Sequence, residues 1–144
     1  MRQHGWFELE TCDRILVFRL YDAWNMETAR AYVDQIDDYC PDPTGGPWAL
    51  VNDLRRWGFS GLELMATIQE RARVNTELGR THSVFIVGDD NPMVSELVRE
   101  AVLDVADGVA NAFVHSDEEA AAWLAEAAFD TTAYLASCRK PRSS

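Results

Sequence analysis

The chain has 144 residues, of which 47% are hydrophobic, and its formal net charge is −11, from 13 lysines and arginines against 24 aspartates and glutamates. This length suffices for one domain with its own core and is too short for two ordinary domains. Because the acidic surface repels duplex nucleic acid and anionic membranes at long range, we expect neither as a partner.

The cysteines indicate the cellular setting. Cys12, Cys40 and Cys138 are odd in number and widely spaced, with no C-x-x-C pair. We therefore expect no disulfide framework and no zinc site, and we predict a reducing, cytoplasmic environment. The N-terminus lacks the apolar segment of a signal peptide, and no apolar run approaches the roughly 20 residues that span a bilayer.

Two strands are predicted at the start of the chain. Polar and apolar side chains alternate over residues 6–11, which is typical of a strand with one solvated face. Residues 14–21 are rich in β-branched and aromatic side chains and follow a short turn at Cys12-Asp13. The two segments predict an antiparallel hairpin at the edge of a sheet.

An amphipathic helix is predicted after the hairpin. Asn25 is a good N-cap, apolar residues recur at helical spacing from Ala29 to Cys40, and Pro41 ends the pattern. The connection that follows, residues 41–47, holds three prolines and two glycines and is read as a loop within the domain.

The remainder of the chain alternates between buried strands and helices. Three short apolar runs, Trp48–Asp53, Ser83–Val87 and Asn111–Val114, have the pattern of parallel strands covered on both faces. Helices are predicted between and after them, around Leu64 to Ala72, from Asn91-Pro92 to Val105, and from Ser116 to Ala127. The order β-β-α-β-α-β-α-β-α predicts an α/β fold with a mixed five-stranded sheet, formed by an N-terminal antiparallel hairpin and a parallel core, and about four helices. We assign residues 1–130 to this single domain and residues 131–144 to a short C-terminal helix, Thr131 to Cys138, followed by a disordered tail.

The sequence contains no pattern typical of an enzyme. It has no phosphate-binding glycine loop, no nucleophile elbow, no zinc-protease motif and no dinucleotide fingerprint. His4, His82 and His115 lack ligand spacing, so no metal, no cofactor and no catalytic residue is predicted. Asp89 follows the fourth strand, where α/β folds often bind ligands, although turn chemistry also accounts for it.

The candidate site is the segment after the third strand. Residues 55–80 hold five arginines against three glutamates, a net charge of +2 on a protein whose remaining residues carry −13. Arg55, Arg56 and Trp57 begin this segment directly after Asp53, and Ser60-Gly61 leads into the next helix. The spacing of Ser60 and Glu63 is typical of a capping box, which would give Ser60 a structural role. The functional alternative is that Ser60, at a helix N-terminus, is phosphorylated or binds an anion. The side chain of Trp57, like that of Trp24, is interpreted either as packed over the core of the domain or as exposed and in contact with a partner.

Several of these features together resemble the STAS domain, the sulfate-transporter and anti-sigma-factor-antagonist module, in its bacterial branch of stand-alone antagonist-like (SpoIIAA-like) proteins. The resemblance rests on the element order, on Arg55-Arg56-Trp57-Gly58-Phe59 after the third strand, on Val87-Gly88-Asp89, and on the final strand and helix from Phe113 to Leu124. It covers the chain from Trp6 to about Ala127.

The resemblance implies a non-enzymatic regulatory or interaction module. In regulatory members the serine matching Ser60, before glycine, is a phosphorylation switch, and the helix it begins contacts a kinase-like anti-sigma partner. Here Gly58-Phe59 replaces the Asp-Ser pair that precedes that serine, and the loop from Asp53 is shorter. We expect a protein partner to dock at residues Arg55 to Leu62. The alternative function is binding of a small anion or an apolar ligand between the sheet and the helices, and the third is an enzyme of unknown type. The sequence leaves the oligomeric state open, a homodimer included.

Overall fold

The computed structural model of the chain describes residues 5–58, 64–70, 78–89, 92–105 and 108–139. Its strands are β1 (Trp6–Cys12), β2 (Ile15–Ala23), β3 (Trp48–Gly58), β4 (Arg80–Ile86) and β5 (Ala110–Val114). Its helices are α1 (Met26–Tyr39), α2 (helical over residues 64–70), α3 (Pro92–Val105), α4 (Asp117–Glu126) and α5 (Thr132–Cys138), and a 3₁₀ turn spans Pro43–Gly45.

The five strands form one sheet in the order β1-β2-β3-β4-β5. β1 is antiparallel to β2, and the other neighbouring pairs are parallel. The predicted single α/β domain with an antiparallel hairpin and a parallel core is therefore confirmed.

Local side chains fix where two of the helices begin. The Asn25 side chain accepts a hydrogen bond from the Thr28 amide at 3.1 Å, and Ser116 Oγ accepts one from the Glu119 amide at 3.1 Å. Each bond satisfies a backbone donor that has no partner within its own helix. Both predicted helix starts are confirmed.

Helices cover both faces of the sheet because side chains alternate along its strands. Leu16, Phe18 and Leu20 of β2 point to one face, where α1, α2 and α3 pack, which we call the α1 face. Ile15 and Val17 point to the other, where α4 and α5 pack, which we call the α4 face. The sheet is thus the shared wall of two hydrophobic cores.

The predicted end of the third strand was wrong. Instead of stopping at Asp53 before a loop, β3 continues to Gly58, and its last residues pair with β2. Arg19 lies opposite Asp53 and Tyr21 opposite Arg56, so β3 advances three residues where β2 advances two. This extra residue is a β-bulge, which interrupts the alternation of side chains along β3. The fourth strand also begins earlier than predicted, at Arg80.

Substitution in the α4-face core tests the packing. Leu124 of α4 is fully buried, and we expect Leu124→Ala to lower the free energy of unfolding by about 2–5 kcal/mol through lost burial and a residual cavity. Glu126→Ala, at an exposed position of the same helix, is the matched control and should change it by less than about 0.5 kcal/mol. Urea unfolding measures both, and equal effects would contradict the assigned packing.

Candidate functional site

The end of β3 directs side chains to both faces of the sheet. Arg55 reaches Asp117 of α4 on the α4 face, and Arg56 lies opposite Tyr21 on β2. Trp57 belongs to the α1-face core, where its ring centroid lies 5.6 Å from that of Trp24. Arg56 and Trp57 therefore lie on opposite faces of the sheet, as consecutive residues of a strand do.

Four charged side chains, three of them buried and Arg55 partly exposed, form a group on the α4 face. We call it the ionic cluster: Arg19, Asp53, Arg55 and Asp117. Arg19 Nη1 donates to Asp53 Oδ2 at 2.8 Å, and Arg19 Nη2 donates to Asp117 Oδ1 at 3.1 Å. Arg55 donates twice to Asp53, from Nε and Nη2 at 2.9 Å each, and its Nη2 lies 3.2 Å from Asp117 Oδ2. Paired contacts of this kind are the strong form of the arginine–carboxylate interaction.

Helix α5 completes the surroundings of the ionic cluster. Tyr134 is fully buried and donates its hydroxyl to Asp117 Oδ1 at 2.7 Å. Cys138 Sγ lies 3.6 Å from Arg19 Nη2. The cluster thus joins β2 and β3 to both helices of the α4 face, across separations in sequence of up to 119 residues.

The protonation states of the ionic cluster follow from its geometry. Burial raises the pKa of Asp53, but hydrogen bonds and positive charge from Arg55, and then Arg19, outweigh it, so the pKa lies below its usual value. Burial also raises the pKa of Asp117, and the Tyr134 hydroxyl, Arg19 and Arg55 together lower it below its usual value. Both carboxylates are therefore ionised at neutral pH and balance the two guanidinium groups.

The ionic cluster is better suited to a structural role than to ligand binding. Its positive and negative charges are equal in number, and both carboxylates lie within hydrogen-bonding distance of both arginines. Arg55, predicted as a docking or anion-binding residue, is 33% exposed at its side chain, but its guanidinium already binds two carboxylates. Asp53, a secondary candidate, is buried within the same group.

An exposed row of side chains crosses three strands beside the ionic cluster. Trp6 on β1 lies opposite Tyr21 on β2, which lies opposite Arg56 on β3. Trp6 is 40% exposed and stacks on Tyr21, with ring centroids 4.0 Å apart and planes 12° apart. Arg56 is exposed. Tyr21, its partner in the strand register, donates its hydroxyl to Glu8 Oε1 at 2.6 Å. We call Trp6, Tyr21 and Arg56 the aromatic–arginine row.

Trp24 and Trp57, for which the sequence left both packing and partner contact open, are both buried. Trp24 is 2% and Trp57 4% exposed. Trp24 donates its indole N–H to the carbonyl oxygens of Trp6 and Tyr21, each at 3.2 Å. Their position in the α1-face core favours the packing interpretation for both.

The remaining candidate residues are not assembled into one site. Asp89 is exposed at the end of β4, 3.6 Å from His115 Nδ1. His82 packs its ring against Trp123 and Phe129. Within the described part of the chain, no hydrogen bond joins Asp53, His82 and Asp89, and no group of three or more His, Cys, Asp or Glu side chains is arranged to hold a metal. Ser60 and Gly61 lie outside the described residues.

Sequence reasoning missed Arg19, Asp117, Trp6 and Tyr21. A signal existed for Arg19, because a charged residue within the otherwise apolar run of β2 requires a buried partner. No comparable signal existed for Asp117, because acidic residues are common in the first turn of a helix, where they interact favourably with the helix dipole.

Comparison with known proteins shows the fold. A scan against protein-family models and a search of curated proteins both gave no match. Among solved structures, this fold is similar to that of an uncharacterised DUF3478-family protein from Shewanella loihica PV-4 described as having a SpoIIAA-like fold, with a TM-score of 0.62 and 12% sequence identity, covering 86% of this chain and 96% of that one. The chain has a SpoIIAA-like fold. The resemblance to a STAS-like module is thus confirmed at the level of the fold.

Among the described helices, none combines the length and the hydropathy that spanning a bilayer requires.

Removal of one carboxylate tests the ionic cluster. Asp117→Asn leaves Arg19 and Arg55 with a single anionic partner, and we expect the free energy of unfolding to fall by about 3 kcal/mol, the lower end of the range for a broken buried pair, because Arg55 is partly solvated. Asp38→Asn on the exposed side of α1 is the control, with an expected change below about 0.5 kcal/mol. Urea unfolding measures the free energy of unfolding of both variants. An equal decrease in the two would show that the ionic cluster makes no specific contribution to stability.

Acid should weaken the fold through the same carboxylates. Because the pKa values of Asp53 and Asp117 are lowered in the folded state, their stabilisation is complete above the unfolded-state pKa of about 3.9 and is lost as the pH falls through the folded-state values. We expect the free energy of unfolding to decrease from about pH 5 to about pH 3, with a shallower slope in Asp117→Asn. Urea midpoints across this range measure both slopes, and parallel slopes would contradict the assignment.

Proposed function

We propose that this protein is a non-enzymatic interaction module that docks a protein partner through the aromatic–arginine row, with Arg55 at its border. The observation that carries the proposal is the alignment of Trp6, Tyr21 and Arg56 on three adjacent strands with Trp6 and Arg56 exposed. Tryptophan, tyrosine and arginine are the residue types that most often dominate binding energy at protein interfaces. The protein's SpoIIAA-like fold supports this assignment by its resemblance to antagonist-like modules.

The row is ordered before a partner arrives. The Trp6 ring stacks on Tyr21, and Glu8 holds the Tyr21 hydroxyl. A contact surface whose side chains are already constrained loses less conformational entropy on binding. The two rings offer a flat apolar area, and Arg56, exposed on the neighbouring strand, has a guanidinium group that suits a carboxylate.

The net charge of the protein limits the kind of partner surface that can bind to it. A strongly acidic partner would be repelled by a chain of net charge −11. The proposed partner therefore presents an apolar side chain beside a single carboxylate, on a surface that is otherwise neutral or basic. The three cysteines of this protein are thiols and not disulfides, which supports a reducing, cytoplasmic setting for this interaction.

A small-anion site at Arg55 and Arg56 has less support. Arg55 is already bound by Asp53 and Asp117, so an anion would have to displace a buried carboxylate or rely on Arg56 alone. A single exposed guanidinium binds a free anion weakly in water.

Paired variants test the docking surface. Trp6→Ala and Arg56→Glu alter the row, while Tyr39→Ala and Arg30→Glu make the same changes at exposed positions of α1. We expect a partner cross-linked and co-purified with the wild-type protein to bind the row variants at least about tenfold more weakly, equivalent to about 1.4 kcal/mol, in calorimetry with purified components. The α1 variants should bind like wild type. If the row variants keep full affinity, or if all four lose it equally, the assigned surface is wrong.

Ser60 is a separate part of the proposal. It follows Arg56 by four residues in the sequence, and phosphorylation would add a charge of about −1.5 to −2 at that position. We expect protein isolated from its native cell to yield a Ser60 phosphopeptide by mass spectrometry, and Ser60→Asp to retain less partner than Ser60→Ala. Identical partner profiles without any phosphopeptide would remove the switch and leave the docking surface intact.

A further inference from the structure

Strand β1 carries two acidic side chains on the α4 face. Because side chains alternate along a strand, Glu8 and Glu10 share a face with Trp6 and with Cys12, which packs in the α4-face core. Glu8 accepts the hydrogen bond from the Tyr21 hydroxyl. Glu10 is exposed and forms no ion pair with a described residue. We call Glu8 and Glu10 the acidic strip, and it leads along β1 to the exposed Trp6 ring.

Helix α5 ends beside the acidic strip. Ser137 Oγ lies 3.9 Å from the Sγ atom of Cys12, two residues from the strip on β1. Cys138 Sγ lies 3.6 Å from Nη2 of Arg19, which is opposite the strip on β2. These contacts fix the last turn of α5 over the hairpin, and the chain leaves the helix at Arg139, which is exposed.

The segment that follows α5 is basic. Residues 139–144 read Arg-Lys-Pro-Arg-Ser-Ser and carry a charge of +3, so the other residues of the protein together carry −14. Of this segment, Arg139 belongs to the described part of the chain. The most basic end of an acidic protein thus starts next to an acidic strip, and opposite charges at this range attract each other.

The length of the segment matches the distance that it would have to cover. Trp6 is four residues from Glu10 along β1, which is about 13 Å at the rise of a strand. Residues 139–142 span about 13 Å when extended, and a proline such as Pro141 favours extended backbone at the residue before it. With the start of the segment at Glu10, Arg142 reaches the Trp6 ring, and a guanidinium group over a tryptophan face is a favourable contact.

We propose that residues 139–142 lie along the acidic strip and place Arg142 against Trp6, so that the chain's own C-terminal segment covers one end of the aromatic–arginine row. A tethered segment has a local concentration of the order of mM, so weak contacts suffice to hold it in place. A second copy is a poorer occupant, because two chains of net charge −11 repel each other.

The contact would regulate docking. A partner has to displace the segment before it contacts Trp6, whereas Arg56 at the other end of the row repels the basic segment and stays available for a carboxylate. This regulatory step rests on the proposed docking function. The contact between the segment and Trp6 does not depend on it.

The Trp6 indole signal in ¹H–¹⁵N NMR spectra of the full-length protein tests the contact, and Trp6→Phe identifies that signal. Raising NaCl from about 20 mM to about 500 mM shortens the Debye length from roughly 20 Å to roughly 4 Å, and we expect the released segment to shift the wild-type signal. Arg142→Glu should show the released position already at low salt. Arg30→Glu, the same change at an exposed position of α1, should behave like wild type.

Three results would overturn the contact. The Trp6 signal could be identical in wild type and Arg142→Glu at low salt, or it could shift equally in Arg30→Glu. A shift that depends on protein concentration would place the C-terminal segment of a second copy on the acidic strip and contradict the intramolecular contact.

Partner affinity separates this proposal from the docking function. If the segment covers the row for about two-thirds of the time, Arg142→Glu should bind the partner about threefold more tightly than wild type, and Arg30→Glu should not. Equal affinities of the two variants would overturn the regulatory step. If Trp6→Ala binds the partner like wild type, the docking function is wrong, and the NMR comparison still decides whether the segment contacts Trp6.

Discussion

The bulge near the end of β3 is the constraint on which the proposed docking surface depends. A regular parallel ladder from Arg19–Asp53 onward would place Tyr21 opposite Arg55, whereas the observed partner is Arg56. The extra residue aligns Arg56 with the exposed row and sends Trp57 into the α1-face core. Because a shift of one residue exchanges the faces of a strand, losing the bulge would move Arg56 and Trp57 away from their present neighbours, whereas Arg55 would stay on the same face as Asp53.

The ionic cluster explains how charged residues are accommodated inside this fold. Desolvating two arginines and two aspartates is costly, and the arrangement is favourable only because each carboxylate binds both guanidinium groups and Tyr134 supplies a further donor to Asp117. The same contacts fix α4 and α5 against the sheet. The cluster therefore holds the β2–β3 end rigid, which is what a preformed docking row requires.

Local patterns in the sequence were sufficient for most of the fold. The apolar runs predicted the strands, and Asn25 and Ser116 predicted helix starts because a cap acts within three residues of its own position. The candidate site was harder, since Arg55-Arg56-Trp57-Gly58 has the composition of a loop. Its extended structure depends on Asp117, 62 residues from Arg55, and periodicity within a short window cannot detect a bulge or a partner that distant. The sequence therefore predicted a loop where β3 continues to Gly58, and it left open which residues of this segment are exposed.

The arrangement of the β3 end can be measured directly by NMR in solution. Cross-strand nuclear Overhauser effects between backbone protons of Tyr21 and Arg56, together with effects from the Trp57 indole ring to Val98 or Met65 side chains on the α1 face, are the predicted result. Effects between Tyr21 and Arg55, with the Trp57 ring close to Leu124 or Tyr134 on the α4 face, would show a regular strand without the bulge. That result would contradict the docking row.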